Sequence, residues 1–234
     1  MALDDYDFSK GGKRWVSYFD RLGFGQFTAE HGLVEIFSET SFCLSEARRH
    51  GQDFANVECA WFSDTFLFWS TDDSRASCRA VAEASRWFFD GLIDSKVPLR
   101  GALAFGDFYG DKANGLFFGK ALVDACHCGE KYDWLGFVLH ESALKQMAEV
   151  GQPVSDLCYK RWDAKFKKTK TNSVEKESVV AYLPGPGSIR PVPEVGGNPC
   201  LEAVEGMASW TECEGHRRKY ENTIRFIKHF TNSN

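Results

Sequence analysis

The chain has 234 residues, of which 43% are hydrophobic and 15% aromatic, and its formal net charge is −5 at pH 7. This length suits one large domain, and this composition excludes a disordered chain. The negative charge argues against a nucleic-acid partner, which would need a basic surface, and no stretch is long and apolar enough to insert into a membrane.

Hydrophobic periodicity predicts alternating strands and helices. In chain order, the predicted elements are a strand over 14–20, a helix over 28–49, a hairpin over 54–70, a helix over 74–93, a strand over 99–108, a helix over 119–132, and strands over 135–140 and 177–183. This order is βαββαβ with additions. It predicts an α+β fold of the ferredoxin-like type, in which an antiparallel sheet with extra strands carries helices on one face.

A segment rich in proline and glycine follows the last predicted strand and divides the chain. We therefore expect a main domain over 13–183, a linker over 184–200 and a helical extension over 201–231. The extension is predicted as one C-terminal helix that docks on the domain or on a partner.

Eight cysteines are spread along the chain. The N-terminus is acidic and lacks the apolar run of a signal peptide, so we expect a cytoplasmic protein with reduced thiols. Cys126 and Cys128 form the closest pair, but no second pair completes a zinc site. We interpret the cysteines as small core residues.

Two aspartates lie where predicted strands end. Asp20 precedes a turn with the sequence LGFG, and Asp64 lies at the tip of the hairpin. In an antiparallel sheet the two positions can meet at one edge, where a divalent cation would relieve the repulsion between the carboxylates. Oxygen ligands suit Mg²⁺ or Mn²⁺, and two such metals beside a triphosphate can activate an attacking oxygen and stabilise a leaving pyrophosphate. Because each carboxylate belongs to an exposed, repulsive pair, its removal should change stability little. The alternative is that both aspartates only form turns.

Four segments resemble the class III nucleotidyl cyclases. YFDRLGFGQF is similar to the first metal motif of that family, WFSDTFLFW to the second, PLRGALAFGDF to its arginine-containing strand and GKALVDACHCGEKYDW to the helix that follows. Over residues 13–183, the cyclase catalytic domain in this interpretation, the set looks most like the bacterial Pycsar cyclases, which make cyclic pyrimidine nucleotides in anti-phage signalling.

The resemblance implies a homodimer with active sites at the subunit interface and a separate cyclic-nucleotide-binding effector that reads the product. It implies two Mg²⁺ or Mn²⁺ ions per site, held by Asp20, Asp64 and the backbone carbonyl of Arg21. The implied catalytic residues are Asp20, Asp64, Arg100 and His127. The implied nucleotide contacts are Phe19, Leu22, Gly23, Phe24, Gly25, Ala60, Leu116 and Lys176. Lys168 and Lys170 remain alternatives to Lys176 as the lysine that binds the triphosphate.

The sequence departs from the purine cyclases at four positions. Ala60 and Leu116 stand where those enzymes carry polar residues that bind the base, and Val123 and His127 stand where they carry asparagine and arginine. A pocket that leaves the polar edge of a buried base without hydrogen bonds loses selectivity for that base. The pattern therefore favours a pyrimidine substrate, UTP before CTP. A purine cyclase with an unusual pocket and a catalytically inactive nucleotide-binding domain remain the alternatives.

Overall fold

The computed structural model describes residues 8–53, 56–167, 176–184 and 198–231. The strands are β1 (Gly11–Arg21), β2 (Val57–Phe62), β3 (Thr65–Ser70), β4 (Leu99–Asp111), β5 (Leu116–Phe118), β6 (Phe137–Leu139), β7 (Tyr159–Lys165) and β8 (Lys176–Tyr182). The α-helices are α1 (Phe24–Glu30), α2 (Leu33–Asp53), α3 (Arg75–Asp94), α4 (Lys120–Lys131), α5 (Glu141–Glu149), α6 (Pro199–Trp210) and α7 (Glu214–Thr231).

One sheet contains all of these strands, in the order β2-β3-β1-β4-β6-β8-β7, with β5 paired to the end of β4. Neighbouring strands are antiparallel except β4 and β6, which are parallel. The predicted α+β class is confirmed, and the first four strands have the order of a ferredoxin-like βαββαβ core.

Helices cover both faces of the sheet, so the prediction of helices on one face is wrong. Trp15 and Phe19 of β1 pack in the core that includes α3, α5 and α6. Val16 and Tyr18, from the alternate positions, pack against α4 on the other face. Adjacent side chains of a strand point to opposite faces, and here both sets are apolar. A second cluster on the α4 face includes Phe226 of α7.

The structure corrects several predicted elements. The helix predicted over 28–49 is two helices, because His31 has an extended backbone and Gly32 follows it. The single C-terminal helix is also two, α6 and α7, separated at the extended residue Thr211. Strands β5 and β7 and helix α5 were not predicted. Residues 185–197 of the predicted linker lie outside the described residues.

The cysteines are all unpaired, but they are not all core residues. Cys43, Cys78 and Cys200 are buried, whereas Cys158 and Cys213 are exposed. The interpretation of the cysteines as core residues is therefore wrong for these two exposed residues. Among the helices of the described residues, none has the length and apolarity needed to cross a membrane.

Candidate active site

The register of the sheet brings Asp20 into a row with polar neighbours. Asp20 of β1 is paired with Thr65 of β3 on one side and with Arg100 of β4 on the other. Thr65 is in turn paired with Phe62 of β2. Directly opposite residues have Cβ atoms about 5 Å apart, so these side chains form a continuous row on the face that α4 covers.

The hairpin tip between β2 and β3 is fastened to the end of β1. Ser63 adopts a left-handed φ of 54°, which reverses the chain within two residues. The carbonyl of Asp64 then accepts a hydrogen bond of 2.9 Å from the amide of Arg21. The structure thus brings Asp64 beside Asp20, the arrangement that the two sequence segments predict.

Arg100 holds the Asp20 carboxylate directly. Its Nε and Nη2 atoms lie 2.7 and 2.5 Å from the same oxygen, Oδ2 of Asp20. Its Nη1 donates to the carbonyl of Glu130, at the end of α4, over 3.3 Å. The Arg100 and Asp20 side chains are only 8% and 13% exposed, so this is a largely buried ion pair. The resemblance implied a catalytic role for Arg100, but the sequence did not predict this pairing.

Negative charge is still in excess around Asp20. Burial raises the pKa of the Asp20 carboxyl, Arg100 opposes that rise, and the Glu130 and Asp64 carboxylates add to it. Glu130 also accepts a hydrogen bond of 2.9 Å from the hydroxyl of Tyr18. Three carboxylates near a single arginine form an environment that favours a bound cation.

The oxygen atoms at this edge fit Mg²⁺ or Mn²⁺. Oδ1 of Asp20 accepts no hydrogen bond from the described residues, since Arg100 contacts the other oxygen. Asp64 and the backbone carbonyl of Arg21 lie beside it. Within the described ranges, no three acidic, histidine or cysteine side chains form a metal-binding group. Magnesium commonly takes one or two carboxylates and completes its shell with water and phosphate oxygens, so the set is sufficient.

The turn that follows Asp20 differs in part from the prediction. The amide of Leu22 donates to the carbonyl of Pro98 over 2.9 Å and is not available to a phosphate. Phe19 is fully buried and stacks on Phe137 with ring centroids 4.9 Å apart, so its side chain cannot reach a nucleotide. Gly23 precedes α1 with a left-handed φ of 74°. Phe24 and Gly25 open that helix, where amides have no intrahelical acceptor.

The side chain of Arg21 fixes the helices that follow the turn. Its Nη2 lies 2.5 Å from Oε1 of Glu39 in α2, and its guanidinium lies 4.3 Å from the ring centre of Phe27 in α1. The side chain therefore points toward these two helices, so a metal would meet only the backbone carbonyl of Arg21.

An apolar cleft of about 1040 Å³ lies beside the row of Asp20. Its floor contains Ala60, Leu67 and Tyr18, which are paired across β2, β3 and β1. This second row is two residues along the strands from the first, or about 7 Å away. The remaining lining residues are Cys59, Trp61, Phe62, Thr65, Lys112, Gly115, Phe117, Leu122, Val123, Cys126 and His127.

The cleft gathers three of the sequence positions at which the chain departs from purine cyclases. Ala60, Val123 and His127 all line it. Leu116 belongs to β5 and is not among the lining residues, although Gly115 and Phe117 on either side of it are. Leu116 thus stays a predicted base contact, one that does not itself line this cleft.

Lys167 is a lysine near the site that the sequence did not single out. Lys176 is exposed at the start of β8, opposite Lys165, and Lys168 and Lys170 lie outside the described residues. Burial and Arg100 lower the pKa of half-buried Lys167, whereas Glu130 and Asp20 raise it, so this ammonium lies within electrostatic range of the site. The basic run at 165–170 was the signal in the sequence, but a run does not show which member faces the site.

No protein-family model and no curated protein sequence matches the chain, whereas solved structures do. The adenylyl cyclase CyaB from P. aeruginosa is similar, with a TM-score of 0.55 and 10% identity over 77% of this chain and 98% of that one. The guanylate cyclase domain of RhGC from Catenaria anguillulae, in complex with GTP, has a TM-score of 0.52 and 11% identity over 72% and 95% of the two chains. A non-canonical dimeric guanylyl cyclase domain from Blastocladiella emersonii has a TM-score of 0.51 and 11% identity over 73% and 96%.

At this level of identity the comparison establishes the fold. The chain has the α+β fold of the adenylyl and guanylyl cyclase catalytic domains.

Proposed function

We propose that this chain is a nucleotide cyclase that closes a nucleoside triphosphate into a 3',5'-cyclic monophosphate and releases pyrophosphate. The observation that carries the proposal is that Asp20 and Asp64 meet beside an apolar cleft whose lining includes Thr65, the strand neighbour of Asp20. The cyclase fold adds to it. The cleft has the size and apolar lining of a site for a nucleobase, and the carboxylates lie where the phosphates of the same molecule would be.

Mg²⁺ or Mn²⁺, two per site, would activate the ribose 3'-hydroxyl and stabilise the negative charge on the phosphates. Asp20 and Asp64 would hold these ions, and Arg100 orients Asp20 by occupying its Oδ2 atom. Lys167 adds a cation for the phosphates, because its ammonium is close enough for the charge of Asp20 to affect its pKa. The base lies against Ala60 and Tyr18 in the cleft. Chelation of divalent metal should therefore abolish product formation.

The substrate is proposed to be a pyrimidine triphosphate, UTP before CTP. Ala60 offers no hydrogen-bonding group to a purine, and the aromatic side chains of Trp61 and Phe117 restrict the cleft. Missing hydrogen bonds and exclusion by size together give discrimination of about a hundredfold. From the resemblance to the Pycsar cyclases we propose that the product acts in cytoplasmic anti-phage signalling through a separate effector.

The active species is proposed to be a homodimer. Exposed apolar side chains, among them Phe62 and Val123, border the open side of the cleft. A second subunit would cover them, and one of the similar structures is described as dimeric. Specific activity that falls as the protein is diluted below its dimerisation constant tests this point.

The decisive experiment offers ATP, GTP, CTP and UTP at equal concentration with Mn²⁺ and identifies the products by mass spectrometry. Cyclic UMP or cyclic CMP as the main product supports the proposal. Cyclic AMP or cyclic GMP would leave the cyclase assignment intact and refute the base preference. Absence of every cyclic product favours the inactive domain, for which the pairing of Arg100 with Asp20 is the supporting observation.

A further inference from the structure

The first turn of α7 lies against the turn that follows Asp20. A Cβ atom built on Gly23 would stand 3.4 Å from Cε1 of His216, so the imidazole packs over the backbone of Gly23. Gly23 is three positions after Asp20, whereas His216 belongs to the C-terminal extension. The extension thus reaches the part of the chain that is proposed to receive the phosphates.

Buried contacts fix α7 in this position. Arg218 donates to the carboxylate of Asp133, which is buried just after α4. The Nδ2 atom of Asn222 donates to the carbonyl of Asp133 over 2.7 Å. The hydroxyl of Thr223 accepts from the amide of Leu135 over 2.8 Å. These bonds lie within two turns of His216, so its place over Gly23 is set by a docked helix.

Positive side chains converge between α7 and Asp20. Lys219, one turn after His216, lies 3.5 Å from Oδ1 of Asp133, and the amide of Lys167 donates to the carbonyl of Lys131. Arg100 donates to the carbonyl of Glu130, the residue before Lys131. Lys219, Lys167 and Arg100 are thus all held at residues 130–133, and with His216 over Gly23 they form a band that ends at Asp20 through Arg100. Burial and then Lys219 lower the pKa of His216, so its imidazole adds a hydrogen-bonding group to the band and not a fixed charge. Lys219 and Arg100 are paired with Asp133 and Asp20, so a phosphate at this band would gain Lys167 and the imidazole of His216 as its partners.

The groups of this band are not equally free to bind a ligand. Arg100 is committed to Asp20. Lys219 is partly committed, because its Nζ lies 3.2 Å from the carbonyl of Gly215 and 3.5 Å from Oδ1 of Asp133. The imidazole of His216 is half-buried and makes no hydrogen bond to the residues that the structure describes. It is the group best placed to bind a ligand that enters over Gly23.

We propose that His216 is a phosphate-binding residue, which together with Lys219 and Lys167 contacts the terminal phosphates of a polyphosphate held at Asp20. The inference rests on the proposed function and extends it, since it makes the C-terminal helix α7 a part of the nucleotide site. The ligand class is a polyphosphate, either free or as the end of a nucleoside triphosphate.

The test is isothermal titration of the full chain with inorganic tripolyphosphate in the presence of Mg²⁺. His216→Ala should weaken binding about tenfold or more, the loss expected for one charge-assisted hydrogen bond, and His216→Gln should weaken it less. The matched control is Arg217→Ala, because Arg217 is exposed in the same turn and donates to the carbonyl of Thr211 over 2.7 Å. That variant should bind within about twofold of the unaltered chain.

Equal binding by His216→Ala and the unaltered chain would overturn the inference, as would an equal loss in Arg217→Ala or no binding by the unaltered chain. A thermal melt of each variant shows that it is folded. The titration measures binding without turnover, so its result does not depend on whether the chain forms a cyclic product. Binding through His216 without any cyclic product would refute the cyclase alone, and a cyclic product with unchanged binding in His216→Ala would refute this inference alone.

Discussion

The two aspartates should differ in what their removal does to stability. Asp20→Ala leaves the buried guanidinium of Arg100 with the carbonyl of Glu130 as its one remaining partner among the residues that the structure describes. Breaking a buried ion pair in this way costs about 3 kcal/mol. In a chain of this size each kcal/mol lowers the melting temperature by about 2–4 °C, so Asp20→Ala should melt about 6–12 °C lower.

Asp64→Ala should melt within about 2 °C of the unaltered chain. Asp64 is half-buried and forms no ion pair with the described residues, so no partner is left uncompensated. The sequence had suggested that both carboxylates contribute little to stability, and the pairing with Arg100 revises this for Asp20 alone. Both variants should nevertheless lose product formation, since each removes a proposed metal ligand.

The assay is thermal unfolding followed by circular dichroism, with product formation measured on the same samples. The control is the double variant Asp20→Ala/Arg100→Met, which removes the unpaired charge and should regain part of the lost melting temperature without regaining activity. Equal melting temperatures for Asp20→Ala and Asp64→Ala would refute the reasoning from the buried pair. Normal product formation by either single variant would refute the metal role.

Three further predictions concern other parts of the molecule. Burial raises the pKa of Asp90 to about 7, although a hydrogen bond from the Tyr182 hydroxyl opposes the rise. Because an unfolded Asp ionises near pH 4, the free energy of unfolding should fall between about pH 4 and pH 7, by up to about 1.4 kcal/mol per pH unit. Urea unfolding of Asp90→Asn should show a flatter dependence on pH. Lys167→Ala should raise KM for the triphosphate more than Lys176→Ala does, and the opposite order in steady-state kinetics would restore Lys176 as the phosphate lysine. Ala60→Glu should not improve turnover of UTP and should admit GTP, which competition between the two substrates measures.

The site's central pair could be predicted because its signals are local. The alternation that ends at Asp20 and the two strands around Ser63 and Asp64 each span fewer than about twenty residues. Antiparallel pairing of neighbouring segments then brings the strand end and the hairpin tip to one edge. The hydrogen bond between Arg21 and Asp64 is the outcome of that pairing.

The partner of Asp20 could not be predicted, because it depends on register. Arg100 faces Asp20 only because β1 and β4 pair with Arg21 opposite Leu99, and a shift of one residue would turn the guanidinium to the other face. The strand signal in the sequence does not contain this information.

The two-sided burial of β1 was visible in principle, since Trp15 and Val16 are adjacent and both apolar.

The cations around the site escape sequence analysis for a related reason: one short segment after α4 positions them. The carbonyl of Lys131 accepts from the amide of Lys167, and the amide of Asp133 donates to the carbonyl of Lys165, which ties the end of β7 to the end of α4. Asp133 also binds Arg218 and so holds α7 over Gly23. Both cationic elements therefore depend on where α4 ends. A change at Asp133 should displace Lys167 and His216 together, although none of the three is near another in the sequence.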